Sequence, residues 1–188
     1  MPPMRKTWIT ALGALLLTCL ARAETQGPYG IGRVARPGEI AGWNIDIGRD
    51  GRGLPAGRGT VSHGREVFAQ QCAACHGDMG QGGVGDKLAG GQGTLATANP
   101  VRTVGSYWPY APTLFDYIRR AMPQNAPQSL SDDDVYAVSA YILNLNGLLP
   151  ADATLDAKSL AAIKMPNRDH FTGDPRPDVK NPACMSGC

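Results

Sequence analysis

Two cysteines separated by two residues and followed at once by a histidine, Cys72-Ala73-Ala74-Cys75-His76, constrain this chain more than any other stretch. Each thiol can add to a vinyl group at one porphyrin edge, and the adjacent imidazole then falls under the iron as an axial ligand. A CxxC pair also occurs as half of a zinc site or as a thioredoxin-like redox pair. Zinc needs two more ligands at comparable spacing, and the 188 residues hold no second CxxC and no HxxxH. A redox pair opens a helix after a strand, whereas the residues before Cys72 read as a helix leading into the motif. The expectation is one covalent haem c held by Cys72, Cys75 and His76.

The start of the chain reads as an address. Arg5 and Lys6 precede a run of 13 residues from Trp8 to Leu20, then Ala21-Arg22-Ala23, the pattern of a cleaved secretory signal over residues 1–23. A membrane span needs about 18 apolar residues or more, so no span is expected. A lipoprotein signal would use Cys19, but Thr18 before it matches poorly. Without residues 1–23, Lys+Arg falls from 18 to 15 against 16 Asp+Glu, a formal charge of −1. Basic stripes with interleaved aromatics are absent, so nucleic acid is not an expected partner. Covalent haem attachment and disulfides both suit an oxidising compartment, and the bacterial periplasm fits.

From Glu24 to Gly59 the sequence is rich in Gly and Pro and reads as an extended arm, with one helical turn at Glu39-Ile40-Ala41-Gly42-Trp43. Trp43, Ile45 and Ile47 give the arm something to bury, either on its own domain or on a partner. Thr60 to Cys72 reads as a helix with Ser62 as N-cap, and Gly64, Phe68 and Cys72 stand at successive i+4 positions. Glycine at 64 would let a second helix approach closely.

After His76 the glycine-dense run from Gly77 to Gly85 can fold tightly against the proximal side. Met79 reads as loop packing and Leu88 as haem packing. Tyr107, Trp108 and Tyr110 are three of nine Trp and Tyr residues. Tyr107 and Trp108 suit a haem edge, ring on macrocycle and polar tip toward propionates, although a plain core cluster fits as well. Pro112 opens a helix to Ala121 with Leu114, Phe115, Tyr117 and Ile118 inward. Met122-Pro123 ends it, 46 residues after His76, and places a thioether for the distal iron face. Met165 in Lys164-Met165-Pro166 is the rival.

Ser131 followed by Asp132, Asp133 and Asp134 signals a helix start, Val135, Val138, Tyr141, Ile142 and Leu145 form its apolar stripe, and Asn146-Gly147 stops it. This helix is expected to cross the Gly64 helix with Tyr141 or Ile142 at the glycine. A short helix follows at Leu155 to Ile163, while His63 and His170 read as solvated or hydrogen-bonded. Cys184 and Cys188 lie within disulfide range on one helical turn, and a redox or metal-binding thiol pair is the other reading.

Together, the CxxCH helix, the Met-Pro loop and the aromatic C-terminal helix resemble the class I cytochrome c fold over Thr60 to Leu149. The fold expected is mainly α, with extended loop-rich arms: residues 1–23 signal, 24–59 N-terminal arm, 60–149 haem domain, 150–188 C-terminal arm. One departure is that the proline usual after the glycine loop, whose carbonyl takes the proximal histidine's N–H, is replaced around Asp86-Lys87-Leu88. Another carbonyl has to orient His76. A narrower resemblance rests on the runs 39–46, 103–111, 113–123, 164–169 and 184–188, which are similar to the cytochrome subunit of sulfite or sulfur dehydrogenases, the SoxD-like proteins of thiosulfate oxidation.

The resemblance implies a molybdenum subunit as electron donor and a soluble cytochrome c as acceptor. His76 and Met122 would hold the iron six-coordinate, and this chain would be a non-catalytic electron-transfer subunit. A two-haem relay, present in some members, is not expected of a sequence stopping at Cys188. The alternatives are a free-standing electron shuttle and a haem enzyme such as a peroxidase.

Overall fold

A computed structural model describes residues 29–173, in two units that divide between Ile45 and Asp46. The signal segment, the start of the arm and the pair Cys184 and Cys188 lie outside the described residues.

In the first unit Pro37, with its φ already set for a helix, opens α1, Pro37–Ala41, two residues before the turn expected from the sequence. The Glu39 carboxylate accepts the Arg36 N–H at 2.8 Å and pairs with the Arg33 guanidinium. Tyr29, Ile31, Val34, Ile40 and Trp43 are all exposed.

The second unit is mainly helical. Its elements are β1 Arg58–Thr60, α2 Val61–Gln71, α3 Ala73–His76, α4 Ala111–Ala121, α5 Asp132–Leu145, β2 Thr154–Asp156 and α6 Ala157–Ala162. Two antiparallel strands, with Gly59 opposite Leu155, were not expected, because three residues are too short to display a period of two. Leu155 is buried in β2, and Asp156 caps α6 by accepting the Ser159 N–H at 2.7 Å. The last helix therefore begins two residues later than the sequence suggests. Ile47, Leu155, Leu160 and Met165 all join the core of this unit.

Local chemistry sets the helix ends. The Thr60 hydroxyl, not Ser62, accepts the His63 N–H at 3.1 Å and caps α2. On α5 the Ser131 hydroxyl accepts the Asp134 N–H at 3.1 Å, and three acidic residues sit in the first turn against the helix dipole. Because α5 packs against α2, α4, β1 and β2, it is buried on every side from Val135 to Leu143, a wider burial than one stripe.

The crossing of α2 on α5 depends on Gly64. A methyl group there would run into the Ala137 carbonyl and meet the Tyr141 Cβ at 3.0 Å, so only glycine permits this approach. Tyr141, one of the two residues expected at the glycine, is there, and the backbone of Ala137 meets it more closely still. Phe68 seals the contact edge-on to Tyr141 at 5.2 Å, and Phe115 packs on Tyr136 at 4.4 Å. Tyr136, fully buried, donates its hydroxyl to the Pro55 carbonyl at 2.8 Å.

α4 carries Pro112 in its first turn and ends at Met122, whose extended backbone follows from the proline after it. Leu114, Phe115 and Ile118 point inward, but Tyr117 is half exposed and meets Trp108 edge-to-face at 5.8 Å. Among the described residues, no helix is long and apolar enough to cross a membrane.

Candidate functional site

The CxxCH stretch is a break followed by one helical turn. Cys72 closes α2 with φ −123°, outside helical geometry, and α3 restarts the helix from Ala73 to His76. His76 N–H reaches back to the Cys72 carbonyl at 3.0 Å and Cys75 N–H to the same oxygen at 3.1 Å. Both thiols are free, Cys72 half-buried and Cys75 exposed. Burial, and secondarily the neighbouring Cys75, pushes the Cys72 thiol up to about 11.

The chain leaves α3 through Gly77, whose φ of +77° and ψ of 155° belong to a region open essentially to glycine alone. It then folds back on the motif: Gly82 N–H donates to the His76 carbonyl at 2.7 Å, and Gly85 N–H to the Cys75 carbonyl at 2.8 Å. Gly85 lies so close to the imidazole that a Cβ there would be 2.9 Å from Cε1 of His76.

This return brings the carbonyl that the sequence left unnamed. His76 Nδ1 lies 2.7 Å from the carbonyl oxygen of Asp86. A carbonyl only accepts, so Nδ1 carries the proton and Nε2 keeps its lone pair. Asp86 escapes sequence reasoning because the group involved is backbone, with no side-chain signature. The density of glycine between 77 and 85 was the only signal of a tight return.

The other expected site residues separate into two sets. Cys72, Leu88, Trp108 and Met122 are half-buried and pack against one core cluster. Tyr107 is more exposed and turns elsewhere: its ring meets Phe171 edge-on at 5.5 Å and lies under the Arg102 guanidinium at 5.5 Å. Met165, the rival thioether, is 1% exposed within the core. Met79 is exposed and packs on little, held by its N–H to the Gln81 side chain at 2.8 Å. His63 pairs with Asp134 at 2.7 Å, and His170 is exposed.

Compared with known proteins, residues 59–142 match the family described as cytochrome c oxidase, cbb3-type, subunit III. A thiosulfate dehydrogenase of Stutzerimonas stutzeri is 34% identical over 93 residues, 47% of this chain and 28% of that protein. The chain thus spans well under a third of that relative. The crystal structure of the sulfane dehydrogenase SoxCD from Paracoccus pantotrophus contains a chain 42% identical to this one, superimposing with a TM-score of 0.75 over 85% of this chain and 81% of its own. The chain belongs to the SoxD-like class I c-type cytochromes.

The residues of this cytochrome fit a haem c. Two free thiols stand one turn apart, and the adjacent histidine is fixed in the tautomer that leaves Nε2 available to a metal. Leu88, Trp108 and Met122 offer half-buried apolar surface of the kind a macrocycle covers.

Proposed function

We propose that this cytochrome is the electron-transfer subunit of a periplasmic molybdenum dehydrogenase acting on sulfite or sulfane sulfur, receiving electrons from the molybdenum subunit and passing them to a soluble cytochrome c. The observation that supports this most is the extent of the likeness to the SoxCD chain, which covers 85% of this chain and so reaches well beyond the haem-domain match at 59–142. A generic haem domain would resemble its relatives over that segment alone.

In this reading Cys72 and Cys75 would anchor one haem, His76 and Met122 would ligate its iron, and Trp108 would line its edge, while Tyr107, expected there from the sequence, is engaged with Phe171 and Arg102. The haem supplies reversible one-electron exchange. The polypeptide fixes the ligands and the potential. His76 presents Nε2 because its Nδ1–H is held by Asp86. Met122 presents a thioether, a ligand that favours the reduced iron relative to a second histidine. Two protein ligands leave no open position for substrate, so the chain's own part is transfer and docking. Residues 1–23 are the cleaved signal, 24–59 and 150–188 the arms of the haem domain at 60–149, and the exposed Trp43 and Ile40 suit an arm that docks.

Affinity purification from the native periplasm under mild salt tests the reading, with metal analysis and an optical spectrum of the recovered material. Molybdenum co-purifying with haem, and bleaching of the oxidised haem by sulfite or thiosulfate, is the expected result. A lone monohaem protein that neither compound reduces would instead make it a free-standing shuttle.

A further inference from the structure

The Asn146-Gly147 pair reads from sequence as a helix stop, yet only Gly147 takes the left-handed conformation, at φ +71°; Asn146 sits at φ −94° and ψ 6°. Backbone geometry therefore does not explain the asparagine. Its side chain does. The amide is 7% exposed, and Nδ2 donates to the carbonyls of Leu88 at 3.0 Å and Ile142 at 2.9 Å. Oδ1 accepts the Gly90 N–H at 3.2 Å and the Gln92 amide at 3.4 Å. Two donors and two acceptors are the full capacity of an asparagine amide.

Two of those bonds grip the segment that carries the Asp86 carbonyl. Leu88 is two residues beyond Asp86, and the same stretch is tied from its other side by Leu88 N–H and Ala89 N–H, both to the Gly80 carbonyl at 2.8 and 3.1 Å. Gly105 leaves the space that the amide fills, since a Cβ there would run into Oδ1 and Cγ of Asn146. The end of α5 is thus fastened to the loop that orients the proximal histidine.

We propose that Asn146 is a positioning residue for His76: by holding the Leu88 carbonyl and the Gly90 N–H it fixes the Asp86 carbonyl under Nδ1–H, and so sets how electron-rich the axial imidazole is. This rests on the haem reading of His76. A short Nδ1–H···O bond makes the imidazole a stronger donor, which favours oxidised iron and lowers the potential. Loosening the clamp weakens that bond and raises the potential.

The test uses the haem-loaded cytochrome with Asn146→Ser, which is neutral and too short to span these four partners, and Gln92→Ala, which removes one bond to the amide and leaves the Leu88 link. Three quantities are read: exchange of the His76 Nδ1 proton in the reduced protein by NMR, the reduction potential, and the thermal midpoint. Asn146→Ser should exchange that proton at least tenfold faster and have a higher potential, while Gln92→Ala matches the unaltered protein in both. The proposal is overturned if Asn146→Ser loses thermal stability with exchange and potential unchanged, or if Gln92→Ala moves both as far. Should the serine variant fail to accumulate, Asn146→Leu, close in shape but unable to bond, is read by the same criteria. Failure of the haem reading itself would show differently, as an unaltered protein without a c-type spectrum.

Discussion

Imidazole Nδ1 of His76 and the carbonyl oxygen of Asp86, ten positions apart in the chain, stand 2.7 Å apart in the fold. That bond settles the tautomer of the candidate ligand, and the glycine next to Asp86 makes it possible by letting the loop lie flat on the ring.

Gly85→Ala should therefore disturb His76 directly. The added methyl would sit 2.9 Å from Cε1 and 3.0 Å from Nδ1 of the ring, closer than carbon contacts tolerate. The cost expected from overpacking is about 1–3 kcal/mol, read from denaturant unfolding. A variant as stable as the parent, with unchanged Nδ1 proton exchange, would mean that the loop does not press on the imidazole.

Gly64→Ala is expected to lose about 1–3 kcal/mol or more, because the obstacle is a backbone carbonyl of α5 that cannot turn aside. Adding Ala137→Gly to it should give no rescue. Recovery in the double variant would show that the side chain of Ala137, and not its carbonyl, forms the limit.

Tyr136 provides a pH dependence. Burial, with lesser contributions from Asp132 and Asp156, pushes its hydroxyl from about 10 up to about 12. The raised value means that the fold favours the neutral phenol, so its contribution is complete below pH 10 and is lost as pH rises toward 12. Stability measured across pH 9–12 should fall more steeply in the parent than in Tyr136→Phe. At neutral pH the same substitution leaves the Pro55 carbonyl without its partner and should cost about 1 kcal/mol. Parallel curves across the alkaline range would refute the assignment.

Met122→His replaces the proposed thioether by an imidazole and should lower the reduction potential, measured by spectroelectrochemical titration. Met165→Leu conserves volume in the core and should cost less than about 1.5 kcal/mol while leaving the potential where it was. If the two variants exchange these behaviours, Met165 is the ligand.

What the sequence determined by itself was whatever acts over one or two turns of chain. The Ser131 cap with its acidic first turn, Pro112 in the first turn of α4 and the extended residue before Pro123 are all short-range chemistry, and each stands in the structure as read. Tertiary structure decided what depends on residues brought together from afar. Met122 and Met165 both precede a proline, and only packing leaves one half-buried and seals the other in the core. α5 looked one-sided because a sequence does not say how many elements surround a helix, and here α2, α4, β1 and β2 do. The carbonyl of Asp86 and the amide of Asn146 became partners of the site only once the glycine loop had closed. A backbone acceptor is common to every residue, and only the folded path of the chain selects the one that His76 meets.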